Sequence, residues 1–346
     1  MQAIDFELKD DSYYLFASAE LVSREKEFID DNKLKRLVSS PNVVELSKIL
    51  RETYYSKYAE QLEEGIAFDR VATQEFEQMA SYLSLRLRPR HMAAIDLLLV
   101  REKIHNYKVI LKALATGTSM EDLFINIGGS YQQLISAART GKGTEAGTLE
   151  QSMIDKIRQL QQEEPRAAEL ALEKYYLQQL APRVRQMNNL MLNRYLEHSI
   201  DMYNIKNIYR HWLTSDKSEI DHILIDEGLL GKQFFQQAKK EGIEGLFKQL
   251  EKTFYAPLIT KGGQLLFEHK DYSIAEKNED IFYRLFFDPV KYTVSNLEKI
   301  FDFFLKKKIE VKTLNLIYSG VLFDMDKDQI RHEVMILDED QNRSNW

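Results

Sequence analysis

The sequence contains no cysteine and little glycine or proline, and each shortage limits what the chain can be. Without cysteine it can form no disulfide, no thiolate nucleophile and no cysteine-ligated metal site. Only 14 of its 346 residues are glycine and 6 are proline, whereas average proteins contain about 7% and 5%. Turns, which β-rich folds need in large numbers, consume both residues. The composition therefore predicts an all-α protein.

Long apolar runs and an excess of positive charge are also missing. The apolar stretches are short, such as Leu97–Val100, far below the ~18 residues typical of a membrane span. The 47 basic and 54 acidic residues give a net charge of -7, which disfavours nucleic acid because phosphate contacts need a basic face. We expect any membrane association to run through a partner or a surface contact.

No constellation typical of catalysis stands out, and the sequence predicts neither a cofactor nor a metal. Thr140–Thr144 lacks the spacing of a phosphate loop, and Asp324–Gln329 lacks the sixth-position glycine of a calcium loop. Asp30–Leu34 begins like the aspartate-rich motif of terpenoid synthases but lacks its last acid. We expect these three segments to be loops or helix ends. We expect His198 to be a buried structural residue, and the run Lys306–Lys308 to be a solvated face.

Glycine placement and short internal repeats divide the chain. Glycines cluster between positions 117 and 147 and again between 228 and 263, which predicts turns and short helices there and long helices elsewhere. Three segments share the pattern Leu-x-x-(Thr/Ser)-apolar-apolar at spacings of 99 and 101 residues: Leu50–Tyr55, Leu149–Ile154 and Leu250–Tyr255. We interpret them as one structural element that occurs three times.

A second element follows these segments, with its first polar residue 56, 55 and 60 residues after the leucine. Its pattern is (Asn/Glu)-apolar-Lys-x-apolar. The residues concerned are Asn106 and Lys108, Asn204 and Lys206, and Glu310 and Lys312. In the first copy apolar residues recur at spacings of three and four, as on a packed helix, which places the Asn and the Lys on its two flanks. We predict that Asn106, Asn204 and Glu310 occupy related places near boundaries between helical units.

These repeats give the chain a resemblance to a known family. The segments that carry it are Val43–Leu46 with Leu50–Tyr55, Asp201–Asn207, Leu250–Tyr255 and especially Phe303–Gly320, a Lys-x-x-Glu-apolar-Lys-x-apolar helix that ends in glycine. Over nearly its whole length the chain resembles the C subunit of V/A-type rotary ATPases, whose eukaryotic counterpart is the V-ATPase d subunit. The copies also differ, since the first has Lys103 where the second has Asp201.

The resemblance implies three similar helical units with pseudo-threefold symmetry that form a funnel or socket. We place them at residues 1–125, 126–230 and 231–346, the last with a polar C-terminal tail. It also implies a subunit without catalytic residues, at the cytoplasmic face of the membrane, that couples the central shaft to the rotor ring for ATP-linked proton or sodium transport. The expected partners are the central-shaft subunits and the membrane rotor-ring subunits, so that association with the membrane is peripheral.

Two other interpretations stay open at this point. One is a generic α-helical repeat scaffold that binds other protein partners. Capture experiments with shaft and ring subunits would distinguish this scaffold from a rotor subunit. The other is an all-α enzyme similar to terpenoid synthases, which would require a convergent acidic magnesium site that the sequence does not display.

Overall fold

The computed structural model describes residues 6–65, 67–141, 148–213, 222, 224–256 and 273–334. In these ranges the regular secondary structure is helical, without a strand, so the prediction of an all-α protein is confirmed. Lys142–Thr144 of the loop that begins at Thr140 and the polar C-terminal tail from Leu337 onward lie outside the described residues.

The described α-helices range from 5 to 26 residues in length. The α-helices, in chain order, are α1 Leu15–Arg24, α2 Asp31–Val38, α3 Val43–Leu50, α4 Ala59–Glu63, α5 Phe68–Arg86, α6 Ala93–Leu98, α7 Val100–Thr116, α8 Tyr131–Thr140, α9 Leu149–Leu160, α10 Pro165–Gln186, α11 Leu190–Leu213, α12 Gly231–Leu250, α13 Ser273–Phe286, α14 Leu297–Leu322 and α15 Lys327–Glu333. Short 3-10 helices cover Ser12–Tyr14, Glu25–Glu27, Tyr54–Tyr58, Pro89–His91, Glu121–Leu123 and Asp288–Tyr292. None of the helices in the described ranges has both the length and the apolar character that crossing a membrane requires.

Polar side chains explain where several helices begin. Oδ1 of Asp30 accepts the backbone N–H of Lys33 at 2.9 Å at the start of α2, and Oδ1 of Asn42 accepts that of Glu45 at 3.0 Å at the start of α3. Such caps satisfy amides that have no partner inside the helix. Asp30 is therefore a helix cap, in agreement with the expectation for its segment.

The chain forms two compact units. The terminal unit consists of Met1–Glu75 together with Phe247–Trp346, and the central unit consists of Phe76–Leu246. In the terminal unit α14 packs against α1, α2 and α3. In the central unit α10 packs against α6, α7, α9 and α11. Each unit therefore has a long helix at the centre of its packing.

The order of helices repeats along the chain. A pair of short helices occurs three times: α2 with α3, α8 with α9, and the two parts of α12, which Gly242 separates with a φ of +81° that glycine adopts readily. The second helix of each pair ends at Leu50, Leu160 or Leu250, whose carbonyl accepts the N–H of the residue three positions later. Helices that carry the predicted polar residues come later in each series: α7 with Asn106, α11 with Asn204 and α14 with Glu310.

This order corrects one of the repeat matches. In Leu50–Tyr55 and in Leu250–Tyr255 the threonine hydroxyl donates to the leucine carbonyl at 2.7 Å and accepts the N–H of the second aromatic residue at 3.1 Å. Leu149–Ile154 instead forms the first turns of α9. Its match is therefore wrong, and the counterpart in the second copy is the end of α9 at Leu160. The regular spacing misled because α8 and α9, with 10 and 12 residues, are longer than α2 and α3, with 8 each.

The predicted division into units 1–125, 126–230 and 231–346 requires a repeated helix order of this kind. Its two internal boundaries fall in or beside the loops that precede α8 and α12. The pseudo-threefold symmetry and the funnel shape concern the arrangement of whole units in space, and both stay predictions.

Candidate functional site

Two of the predicted polar residues bind the backbone of a distant isoleucine in the same way. Nδ2 of Asn106 donates to the carbonyl of Ile125 at 2.6 Å, and Oδ1 accepts the N–H of Ile125 at 3.0 Å. Asn204 makes the same two bonds to Ile225, at 2.7 and 3.0 Å. A carboxamide presents a donor and an acceptor side by side, so it satisfies both polar groups of one backbone residue. We call this arrangement an amide clamp.

Both amide clamps are buried. Asn106 is 4% exposed and Asn204 is 0% exposed, so neither is the solvated flank of an amphipathic helix. A buried polar group without a partner destabilises the fold by about 1–3 kcal/mol. Each asparagine and its isoleucine satisfy one another, and the clamp therefore fixes the loop to the helix.

Glu310 binds a third isoleucine with different chemistry. Its Oε2 accepts the N–H of Ile29 at 2.6 Å, while Oε1 accepts the hydroxyl of Tyr55 at 2.7 Å and the ammonium of Lys307 at 2.9 Å. A carboxylate has only acceptors, so it cannot donate to the isoleucine carbonyl as the asparagines do. It accepts hydrogen bonds from a phenol and an ammonium instead. Burial, followed by the Glu310 charge, raises the pKa of Tyr55 well above its ordinary value, which keeps the phenol protonated and able to donate. We call this third arrangement the carboxylate clamp.

The three bound loops share a signal that the repeat matching overlooked. They read Phe28-Ile29-Asp30, Phe124-Ile125-Asn126 and Leu224-Ile225-Asp226, with the isoleucines 96 and 100 residues apart. The helices α2, α8 and α12 begin soon after them. A pattern of three residues of ordinary types is too short to recognise in the sequence alone. It becomes specific once the structure shows that each tripeptide lies just before a helix.

A charged residue lies three positions before each clamp residue. Asp201 is 0% exposed and accepts the N–H of Leu229 and of Leu230, both at 3.1 Å. Lys103 pairs with Asp96 at 2.9 Å. In the third copy this position is Lys307, which pairs with Glu310. The second copy therefore carries a negative charge at the position where the other two carry a positive one.

Lys307 corrects the prediction that Lys306–Lys308 is a solvated face. It is 3% exposed, and its ammonium lies 4.0 and 4.5 Å from the ring centroids of Tyr54 and Tyr55. The rings and the Glu310 carboxylate replace the water that a lysine normally keeps. Consecutive lysines look uniformly solvated in a sequence, but a helix turns each of them toward a different environment.

Asp201 leads to a prediction about Gly228. A Cβ atom at Gly228 would lie 2.0 Å from Oδ1 of Asp201 and 3.3 Å from Cγ2 of Ile200. Because two backbone N–H groups hold that carboxylate in place, G228A should lower the free energy of unfolding by about 1–3 kcal/mol. Equilibrium denaturation measures the change. G129A is the matched control, since a Cβ there meets only Oε2 of Glu150 at 3.6 Å, and equal stability of the two variants would contradict the prediction.

The three predicted lysines lie on the other flank of their helices. Lys108 pairs with Glu173 and, at 3.5 Å, with Glu169, and both acids are on α10. Lys312 pairs with Asp280 at 2.9 Å, and Lys206 is half-buried on α11. Partly exposed ion pairs contribute about 0–1 kcal/mol each. The lysines are therefore minor contributors beside the clamps.

The segments considered for metal or phosphate chemistry have structural contacts where they are described. His198 is 2% exposed, and burial lowers its pKa to about 3, which confirms that it is a buried residue, neutral at physiological pH. Asp326 accepts the N–H of Asp328 and of Gln329, both at 3.1 Å, and so caps α15. Across the described ranges no three His, Asp or Glu side chains are grouped to hold a metal ion.

Known proteins match the chain over almost its whole length. A family model described as "ATP synthase (C/AC39) subunit" matches residues 17–333, a range that contains all three clamps. The chain is also similar to a protein of Methanocaldococcus jannaschii described as the C subunit of an A-type ATP synthase. The two are 23% identical over an alignment 350 residues long. The alignment covers 92% of this chain and 85% of the relative.

Proposed function

Because the chain belongs to the ATP synthase (C/AC39) subunit family, we propose that it is the socket of the central rotor in a V/A-type rotary ATPase. The family match makes it the C subunit of an A/V-type ATP synthase, which is a non-catalytic component. The proposal adds its place and its task. It sits peripherally at the cytoplasmic face of the membrane, receives the central shaft and passes torque between shaft and rotor ring during ATP-linked proton or sodium transport.

The clamps support this mechanical role. A body that transmits torque must resist sliding between its parts, and hydrogen bonds resist sliding because they depend on direction as well as distance. We place the clamps where the three proposed helical units meet. Asn106 with Ile125 fixes the last loop of the first unit, and Asn204 with Ile225 fixes the last loop of the second. Glu310 with Ile29 joins the last unit to the first.

A bridging assay tests the proposal. Ring subunits from the same organism, held in detergent on beads, should retain the central-shaft subunits when this chain is present. Without it, retention of the shaft should fall to the background of empty beads, because no other component links the two. Retention of the shaft without the chain, or binding of the chain to neither partner, would contradict the rotor-socket role and favour a scaffold for other proteins.

The alternative of a terpenoid-synthase-like enzyme requires Asp30 as a magnesium ligand. Both carboxylate oxygens of Asp30 are engaged with Lys33, through its backbone N–H at 2.9 Å and its ammonium at 2.8 Å. The pKa of Asp30 is lowered chiefly by the hydrogen bond from the Lys33 side chain. These contacts favour the helix cap over the metal ligand.

A further inference from the structure

A cavity of about 420 Å³ opens in the terminal unit beside the carboxylate clamp. Its walls combine apolar side chains, among them Leu21, Phe28, Phe303 and Leu314, with charged ones, and Glu310 forms part of one side. A cavity of this volume, within the range of roughly 300–1,000 Å³ typical of small-molecule sites, can offer a ligand both apolar contacts and polar partners.

Asp302 lines this cavity with one oxygen that has no partner. The residue is 7% exposed, and its Oδ2 accepts the ammonium of Lys306 at 2.6 Å. No donor in the described part of the chain reaches Oδ1. Burial raises the pKa of Asp302 although Lys306 acts in the opposite direction. A buried acceptor left unsatisfied destabilises the fold, so this oxygen needs a donor other than the described residues.

The internal repeat supplies a reference for this position. Eight residues before the clamp residue, the first two copies carry Leu98 and Leu196, which are 0% and 1% exposed, and the third carries Asp302. Leucine at a buried position stabilises a fold, whereas a partly unsatisfied carboxylate weakens it. Where one copy departs from a repeated core position at such a cost, function is the expected reason.

The surrounding charges decide which kind of donor fits. Lys306 already balances the charge of Asp302. The other charged residues that line the cavity are Arg284, Lys291 and Lys299 against Glu25 and Glu310. A further cation would enter a cavity whose lining carries a net positive charge, so a neutral donor is favoured over an ammonium group.

We propose that this cavity binds a small neutral molecule with an apolar body and a hydroxyl group, and that the hydroxyl donates to Oδ1 of Asp302. The apolar part of the walls buries the body of the ligand, while Asp302 fixes its orientation. The side chain thus acts as the specificity-determining group of a ligand site that the other two copies of the repeat have filled with leucine.

Three probes of similar length test the proposal by calorimetric titration of the full chain: 1-hexanol, 1-methoxypentane, which lacks a donor, and n-hexylammonium. Hydrogen bonds to charged groups contribute about 1.5–3 kcal/mol, so hexanol should bind at least about ten-fold more tightly than the ether. Hexylammonium should bind no more tightly than hexanol. In D302L the preference for hexanol over the ether should disappear.

D302L also restores the leucine of the other two copies, so it should fold and should unfold at a higher temperature than the wild type. D122L is the matched control, because Asp122 is an exposed residue outside the cavity, and it should keep the full preference for hexanol. Equal binding of hexanol and the ether to the wild type, as when water alone satisfies Asp302, would overturn the proposal. So would absence of hexanol binding, tighter binding of the ammonium, or an unchanged preference in D302L.

Discussion

E310A should weaken the terminal unit by about 3–5 kcal/mol, because it removes one partner of a buried ion pair and leaves the other charge uncompensated. Lys307 is 3% exposed and has its carboxylate partner in Glu310 at 2.9 Å. The same substitution also deprives the N–H of Ile29 and the hydroxyl of Tyr55 of their acceptor. Equilibrium denaturation gives the overall loss, and hydrogen exchange shows where it occurs. Exchange at the Ile29 amide should accelerate in E310A.

The other two clamps are internal controls for this experiment. The amides of Ile125 and Ile225 are bound by Asn106 and Asn204, and their exchange should be unchanged in E310A. The double variant K307M/E310Q removes both charges and keeps an acceptor for Ile29, so its loss should be much smaller than that of E310A. If E310A and the double variant were equally stable, the buried charge would not be the reason for the loss.

The fold was predictable from composition and spacing to a large extent. Scarce glycine and proline predict helices, and Asn106, Asn204 and Glu310 are found through a short pattern, (Asn/Glu)-apolar-Lys-x-apolar, that occurs on three helices. The false match at Leu149 shows the limit of this approach. A pattern of three apolar positions fits both the start and the end of an amphipathic helix, and the structure separates the two.

The chemistry of the clamps was less accessible to sequence reasoning. The bond between Glu310 and Ile29 joins residues 281 positions apart, and no local pattern encodes such a contact. Asp302 likewise looks like an ordinary polar residue on a helix flank. Its significance rests on its burial and on the leucines that stand eight residues before the clamp residue in the other two copies, a comparison that requires the clamps to align the copies.

N204D should strongly destabilise the central unit, although it leaves the size of the side chain unchanged. Asn204 is 0% exposed and uses both halves of its amide, as donor to the Ile225 carbonyl at 2.7 Å and as acceptor at 3.0 Å. An ionised carboxyl loses the donor and brings a negative oxygen against the carbonyl. Leaving a buried acceptor unsatisfied costs about 1–3 kcal/mol and more beside a charge, so we expect a loss of about 3 kcal/mol or more at pH 7.

The pH dependence of N204D separates charge repulsion from a simple packing defect. Burial and the nearby carbonyl both disfavour the ionised form, so the pKa of the introduced carboxyl is raised in the folded state above its unfolded value of about 4. The penalty relative to wild type should therefore be small below pH 4, where the protonated carboxyl donates to Ile225, and should grow as the pH rises through the folded pKa. N42D is the matched control, because Asn42 is an exposed helix cap that accepts the Glu45 N–H. Aspartate caps a helix as well as asparagine does, so N42D should cost little stability. Two outcomes would contradict the assignment of Asn204 as both donor and acceptor: a loss in N42D as large as that in N204D, or a penalty in N204D that does not depend on pH.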